Sequence, residues 1–371
     1  MSKLINLYEK SFGKPGSLTQ LKGGKGADFQ IAVSFPDPKK EITETRITSL
    51  GLSELSKDDE LDIELMLITE GKATPEEAEQ TGAFFYELYK MIKKTESVRS
   101  GEIYRTAAVP GFGKMDAVII LNSGYKSPAW LDEDDQKAQL IKVVPLFSDE
   151  ADHLEKLAVE SRELFIYKSQ VPFREPGRKK TNIVYDAVFN IWSAISEWYT
   201  EHKVDDAKKL ADMLAAAPKK GAGEALEKKI GIDIPEDFKE SFNIVHDTLR
   251  VGSYYLYSQT NLAAAFKRMY DMNEEGEFVE ALEKLVESPE FQPVWWHENW
   301  IPIAADSGGD LLVLDMAPTI SGTKGQVLTH SAVEGPAITD NHCFLDWLND
   351  YNAALQTGKY EVDEDGILTR N

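Results

Sequence analysis

The chain has 371 residues, of which 63 are acidic and 41 basic, a formal net charge of −22. Hydrophobic residues make up 42%, an ordinary globular share that excludes an acidic disordered tail and suits two domains. The charge excludes a nucleic-acid or anionic-membrane binder, whose affinity rests on a basic surface, and leaves a basic protein as the partner it would attract.

Residues 14–28 are rich in Gly, Lys and Pro and read as a loop. Phe29–Phe35 reads as a strand. In Leu61–Ile68, Leu61, Ile63, Leu65 and Leu67 alternate onto one face. Thr74-Pro75-Glu76-Glu77 is a capping box, with Pro at the first helical position. It opens a helix to about Lys94, with Ala78, Phe85, Leu88 and Ile92 at helical spacing. Strands follow at 116–122 and 139–146, then a helix from about Asp149 to Tyr167. Residues 170–181, with two prolines, a glycine and four basic residues, read as a linker.

The second half opens on a helix whose stripe is Val184, Val188, Ile191, Ile195 and Trp198. Short helices end before Pro218 and at Gly231, a C′ glycine, and Pro235 restarts a helix bearing Phe238 and Phe242. Tyr254–Tyr257 reads as a strand, and Leu262, Phe266 and Met269 mark a helix. Trp300–Ala305 and Asp310–Met316 read as strands joined at Ser307-Gly308-Gly309. A strand at 325–329 and a helix carrying Phe344, Leu348, Tyr351 and Leu355 close the pattern. Helices mixed with short strands, without βαβ alternation, predict an α+β protein. The domains are placed at 1–169 and 182–371. Residues 1–180 carry 26 basic and 30 acidic side chains, residues 181–371 carry 15 and 33, so the surplus lies in the second half.

Catalytic signatures are missing: no phosphate-binding loop, nucleophile elbow, metalloprotease helix or CxxC pair is present. The strings Ser11–Lys14 and Ser321–Lys324 match SxxK without its companion motifs. Six scattered histidines and the single Cys343 suggest neither a metal site nor a disulfide, and no cofactor is expected. His342 and Cys343 are adjacent and should face apart. One thiol, no apolar leader and no stretch able to span a bilayer lead to the expectation of a cytoplasmic protein.

The densest cluster is 291–318, with Trp295, Trp296 and Trp300 close together and Asp306, Asp310 and Asp315 after them. The plainest reading puts the tryptophans in the core and the aspartates around a hairpin turn. Two functional readings stand beside it. Trp295 and Trp296 form an aromatic platform, with Asp306, Asp310 and Asp315 pairing with basic groups of a partner; or the aspartates form a carboxylate metal or acid–base site. Acidic runs at 132–135, 274–277 and 361–365 read as solvated faces or as docking surface for a basic protein.

The segments LEKKIGIDIPEDFKESFNIVHD (226–247), YYLYSQ (254–259), WWHENWIPIAADSGGDLLVLDMAP (295–318), GQV (325–327) and FLDWL (344–348) resemble, in that order, the Smi/Knr family of the SUKH superfamily. His246-Asp247-Thr248 departs from the family's usual glycine-bearing turn. LDIELMLITEG (61–71), VPGFGKMDAVIIL (109–121) and IKVVPLFSDEADHLEK (141–156) are similar to the Suppressor of Fused domain family. The resemblances imply two domains, each a twisted, mostly antiparallel sheet with flanking helices, and no conserved catalytic centre. They also imply one of two binding roles: an immunity protein that neutralises a toxin, such as a nuclease, of a polymorphic or contact-dependent system, or a regulatory scaffold for an endogenous protein.

Overall fold

The computed structural model describes residues 3–23, 28–37, 43–55, 62–95, 98–122, 129–133 and 136–370. The chain divides into two compact units, one of residues 1–155 with 171–181, the other of 156–170 with 182–371.

In the first unit, helix α1 (Lys3–Phe12) precedes strands β1 (Ser17–Lys22), β2 (Asp28–Ser34), β3 (Glu44–Leu50) and β4 (Ile63–Glu70). Helix α2 (Pro75–Lys93) follows, then β5 (Ile103–Arg105), β6 (Ala117–Asn122), β7 (Ala129–Glu133), β8 (Gln136–Leu146) and helix α3 (Ser148–Glu155). The sheet runs β1-β2-β3-β4-β8-β6-β5, with β7 also paired to β8. All its pairings are antiparallel except β4 with β8. The period-2 geometry of β4 divides the core. Ile63, Leu65 and Leu67 lie in the cluster with Phe85, Leu88 and Ile92 of α2, while Met66 and Ile68 on the other face meet Leu140 and Phe12. Leu61, expected on the same face as Ile63, Leu65 and Leu67, lies outside the described residues. The capping box forms as read: Glu77 N donates to Thr74 Oγ1, and Thr74 N donates to Glu77 Oε2.

Three expectations need correction. The stretch read as a loop contains β1, because Ser17–Lys22 alternates half-buried and exposed positions and pairs with β2 along its length. The helix expected over 149–167 is two helices, α3 and α4 (Val159–Lys168), and α4 belongs to the second unit. Of residues 170–181, read as a linker, 171–181 belong to the first unit and Gln170 to the second. Arg178 is buried there, donating to both carboxylate oxygens of Glu150 at 2.5 and 2.7 Å and to Pro145 O, with the rings of Phe147 and Phe173 against its guanidinium.

In the second unit, α4 is followed by α5 (Ile183–His202), α6 (Ala207–Ala215), α7 (Ala222–Ile230) and α8 (Glu236–Ile244). Next come β9 (Leu249–Val251), β10 (Tyr254–Leu256), α9 (Gln259–Glu274), β11 (Trp300–Asp306), β12 (Leu311–Asp315), β13 (Gln326–Ser331), β14 (Gly335–Ile338) and α10 (Phe344–Gln356), then a separate hairpin of β15 (Tyr360–Val362) and β16 (Leu368–Arg370). The central sheet is a six-stranded antiparallel meander, β14-β13-β12-β11-β10-β9. Helix α5 is the hub of the helical layer. Its predicted stripe is buried. Trp192 Nε1 donates to Ser241 Oγ of α8, and Tyr199 and Tyr351 of α10 share a hydroxyl hydrogen bond of 2.7 Å. Asn190 Nδ2 donates to Lys168 O and Ser169 O, satisfying the free carbonyls at the end of α4. Both sheets with their helices make the chain an α+β protein.

Candidate protein-binding surface

Strand β11 starts at Trp300, and the loop before it brings Phe291, Trp295 and Trp296 over one face of the meander. Trp296 and Trp300 meet edge-to-face at 5.7 Å and 83°, and Phe291 meets Trp300 at 6.0 Å and 75°. They form one core with Met269 of α9 and with Leu311, Val313 and Leu328. Trp295 and Trp296 are each 3% exposed. Their rings are therefore walls of a core rather than an open platform. His330 bridges them, with both indoles against its ring and its Nε2 2.9 Å from Trp295 O. Burial pushes its pKa below the usual imidazole value, so the ring is neutral at pH 7.

The three aspartates do separate structural jobs. Asp315 is fully buried, and Trp300 Nε1, Ala317 N and Gln326 Nε2 all donate to its carboxylate. Burial raises its pKa despite these donors. Asp306 Oδ1 accepts from Gly308 N at 2.8 Å and Asp310 N at 3.0 Å, shaping the β11–β12 turn. Asp310 Oδ1 accepts from Ala332 N, tying that turn to the one between β13 and β14. Asp306 and Asp310 share one end of the hairpin and Asp315 lies at the other, so the fold does not bring the three together. Among the described residues no group of three or more His, Cys, Asp or Glu is placed to hold a metal.

The histidine and the thiol face apart as expected: Cys343 is buried and the His342 side chain is largely exposed. Burial raises the thiol well above its usual pKa, so it is a poor nucleophile. Neighbouring Asp237 is also fully buried and accepts from Leu345 N at 2.9 Å. Its carboxylate sits in the first turn of α10, where free N–H groups favour negative charge. A cleft of about 520 Å³ runs past Ser161, Asp237, Lys239, Lys324 and Cys343.

Sequence reasoning missed one feature. Between α9 and β11 a single 3₁₀ turn, Ala281–Lys284, leaves Val279 66%, Leu282 43% and Val286 73% exposed. Val279 and Leu282 edge a groove of about 270 Å³ walled by Phe278, Val294, Trp295 and Trp296. The signal was FVEALEKLVE (278–287), in which Phe278, Ala281, Leu282, Leu285 and Val286 fall at helical spacing among glutamates although only the single 3₁₀ turn forms there. Among the described residues, no helix is long and apolar enough to cross a membrane.

Comparison with known proteins places these features. Solved structures that resemble the chain include three of Suppressor of Fused proteins. A Suppressor of Fused homologue from Neisseria gonorrhoeae is 16% identical and covers 48% of this chain and 93% of its own, with a TM-score of 0.35. A Sufu–Fu complex is 10% identical over 50% of this chain and 94% of its own, with a TM-score of 0.38. Drosophila Suppressor of Fused is 12% identical over 52% and 54%, with a TM-score of 0.39. The cell wall biosynthesis/cell cycle regulator smi1 of Schizosaccharomyces pombe is 25% identical over 192 residues, 47% of this chain. The match spans only 37% of that regulator's length. Residues 220–350, which run from α7 through the whole meander into α10 and contain the tryptophan core, match the SMI1 / KNR4 family (SUKH-1).

Proposed function

We propose that this chain is a non-catalytic binding protein of the immunity type, which captures and blocks a toxin domain of a polymorphic or contact-dependent toxin system in the cytoplasm. One coincidence carries the reading: the family match at 220–350 falls in the half that holds 33 acidic against 15 basic residues. A nuclease toxin needs a basic groove for phosphates. A folded acidic surface competes for that groove and is steered to it by complementary fields. The non-catalytic part of the reading is supported by Asp306, Asp310 and Asp315, whose carboxylates are engaged in turns and a buried hydrogen-bond cluster. The test is co-expression with the toxin domain encoded beside this gene. Survival of cells that otherwise die supports it; death despite abundant folded protein refutes it. The affinity should fall steeply with salt, and a flat response would remove the electrostatic basis.

A second reading, a regulatory scaffold for an endogenous protein, is favoured by the likeness to the fission yeast regulator. A gene neighbourhood without any toxin, together with capture of a host protein at stoichiometric yield, would select it.

A further inference from the structure

We infer that the groove beside Trp295 and Trp296 is the docking site for a basic amphipathic segment of the partner; this rests on the binding role proposed above and assigns it a place. Single exposed apolar side chains are ordinary on protein surfaces, but grouped ones mark contact sites. Val279, Leu282 and Val286 stand out within eight residues, and the first two edge the groove. Its floor is rigid, because the indoles behind it are locked in the core with Trp300 and His330. At about 270 Å³ the void is smaller than the roughly 300–1,000 Å³ usual for small-molecule sites. It suits one or two apolar anchor side chains of a polypeptide.

The charge of the segment that supplies Phe278, Val279 and Leu282 to the groove decides which polypeptide. Glu274, Glu275, Glu277, Glu280, Glu283 and Glu287 are all exposed, and Lys284 is the sole basic residue from 274 to 287. A second copy of this chain would bring the same carboxylates and be repelled. A segment with apolar residues on one helical face and Lys or Arg flanking them satisfies both parts of the surface at once.

The experiment uses the full chain and a labelled amphipathic helical peptide of Leu and Lys, with its Leu–Glu counterpart as control, read by fluorescence anisotropy at low salt. Two groove variants are compared, Val279→Ser with Leu282→Ser, and Glu277→Lys with Glu280→Lys and Glu283→Lys. A third variant, Glu361→Lys with Glu364→Lys and Asp365→Lys, makes the same charge change on the β15–β16 hairpin. All the substituted residues are exposed, so each variant should keep the wild-type circular dichroism. The Leu–Lys peptide is expected to bind both groove variants about tenfold more weakly or worse, and the hairpin variant within about twofold of wild type. Equal weakening by both charge variants would reduce the effect to net charge and overturn the site, as would undiminished binding to the serine variant. In the co-expression assay, protection by wild type and equally by both groove variants overturns the site and leaves the immunity reading intact. Groove-localised peptide binding without any toxin protection overturns that reading and leaves the site.

Discussion

Trp300 and Asp315 face each other across the first and last positions of the β11–β12 hairpin, and the indole Nε1 donates to the Asp315 carboxylate at 2.9 Å with both residues fully buried. The carboxylate also holds Ala317 N, which turns the chain out of β12, and Gln326 Nε2 at the start of β13. One side chain therefore satisfies three donors from three segments, and in turn needs all three to be tolerated in the core.

Replacing Asp315 with Leu strips those donors of their acceptor while leaving them buried. The expected loss is about 3 kcal/mol of unfolding free energy, since each buried donor left unmade costs on the order of 1–3 kcal/mol and neighbouring losses do not simply add. Asp315→Asn keeps an oxygen for Trp300 and should lose less than half as much. Urea unfolding followed by tryptophan fluorescence measures both, and equal losses would mean that Asp315 does not act through its acceptor oxygens.

Gly335 opens β14 with φ +81°, and a Cβ there would lie 2.8 Å from Cζ3 of Trp295. Gly309 in the β11–β12 turn has a similar φ, +92°, but open space around it. Alanine at 309 carries only the backbone penalty, about 1 kcal/mol. Alanine at 335 adds an overpacked contact with a locked indole, for a total of about 2–4 kcal/mol. Chemical denaturation of both variants tests the difference. Equal losses would show that Trp295 moves freely, contrary to its place in the core.

Much of this architecture is written locally in the sequence, where one short pattern meets no competing tertiary demand. The capping box at Thr74–Glu77 and the glycine turn between β11 and β12 are of that kind. So is Gly231, which closes α7 in the left-handed conformation. What was not legible depends on partners distant in the chain. Lys156-Leu157-Ala158 contains good helix formers, yet the helix breaks there and α4 joins the core of the other unit, with Asn190 capping its end. Strand β1 lies in Gly- and Lys-rich sequence and exists through its pairing with β2. At the candidate site the tryptophans and aspartates stood out by type, but their burial is a property of the folded meander. Exposed Val279 and Leu282 matter only because the loop sets them at the groove walled by those same indoles.

Glu64 of β4 is fully buried and accepts from Ser49 Oγ, Gly51 N, Leu52 N, Ser53 N and Ser53 Oγ. Burial still raises its pKa above the ordinary 4.5. A carboxyl with a raised folded pKa binds its proton more tightly in the native state. Its contribution is fully present below the unfolded value and is lost as pH rises through the folded value. Relative to Glu64→Gln, which cannot titrate, the wild type should therefore gain stability as pH falls from 7 towards 4.5. Parallel urea titrations of the two proteins across that range check it, and a constant difference between them would show that Glu64 keeps an unshifted pKa.

The Glu150–Arg178 pair makes the sharpest claim about domain organisation. Both side chains are buried, joined by two hydrogen bonds, and Thr181 N donates to the same carboxylate. Taking away the cation alone leaves an uncompensated buried charge, which costs about 3–5 kcal/mol. Arg178→Met should therefore destabilise the first unit strongly, and it should also free residues 171–181 to be cut by trypsin at Lys179 and Lys180 under native conditions. A swap of both partners, Glu150→Met with Arg178→Leu, removes the stranded charge and should recover most of the stability. If 171–181 were a free linker, the wild type would already be cut as fast as Arg178→Met, and neither substitution would change the unfolding midpoint of the first unit. Slow cleavage of the wild type, fast cleavage of Arg178→Met and restored resistance in the double variant together would assign the segment to the first unit's core.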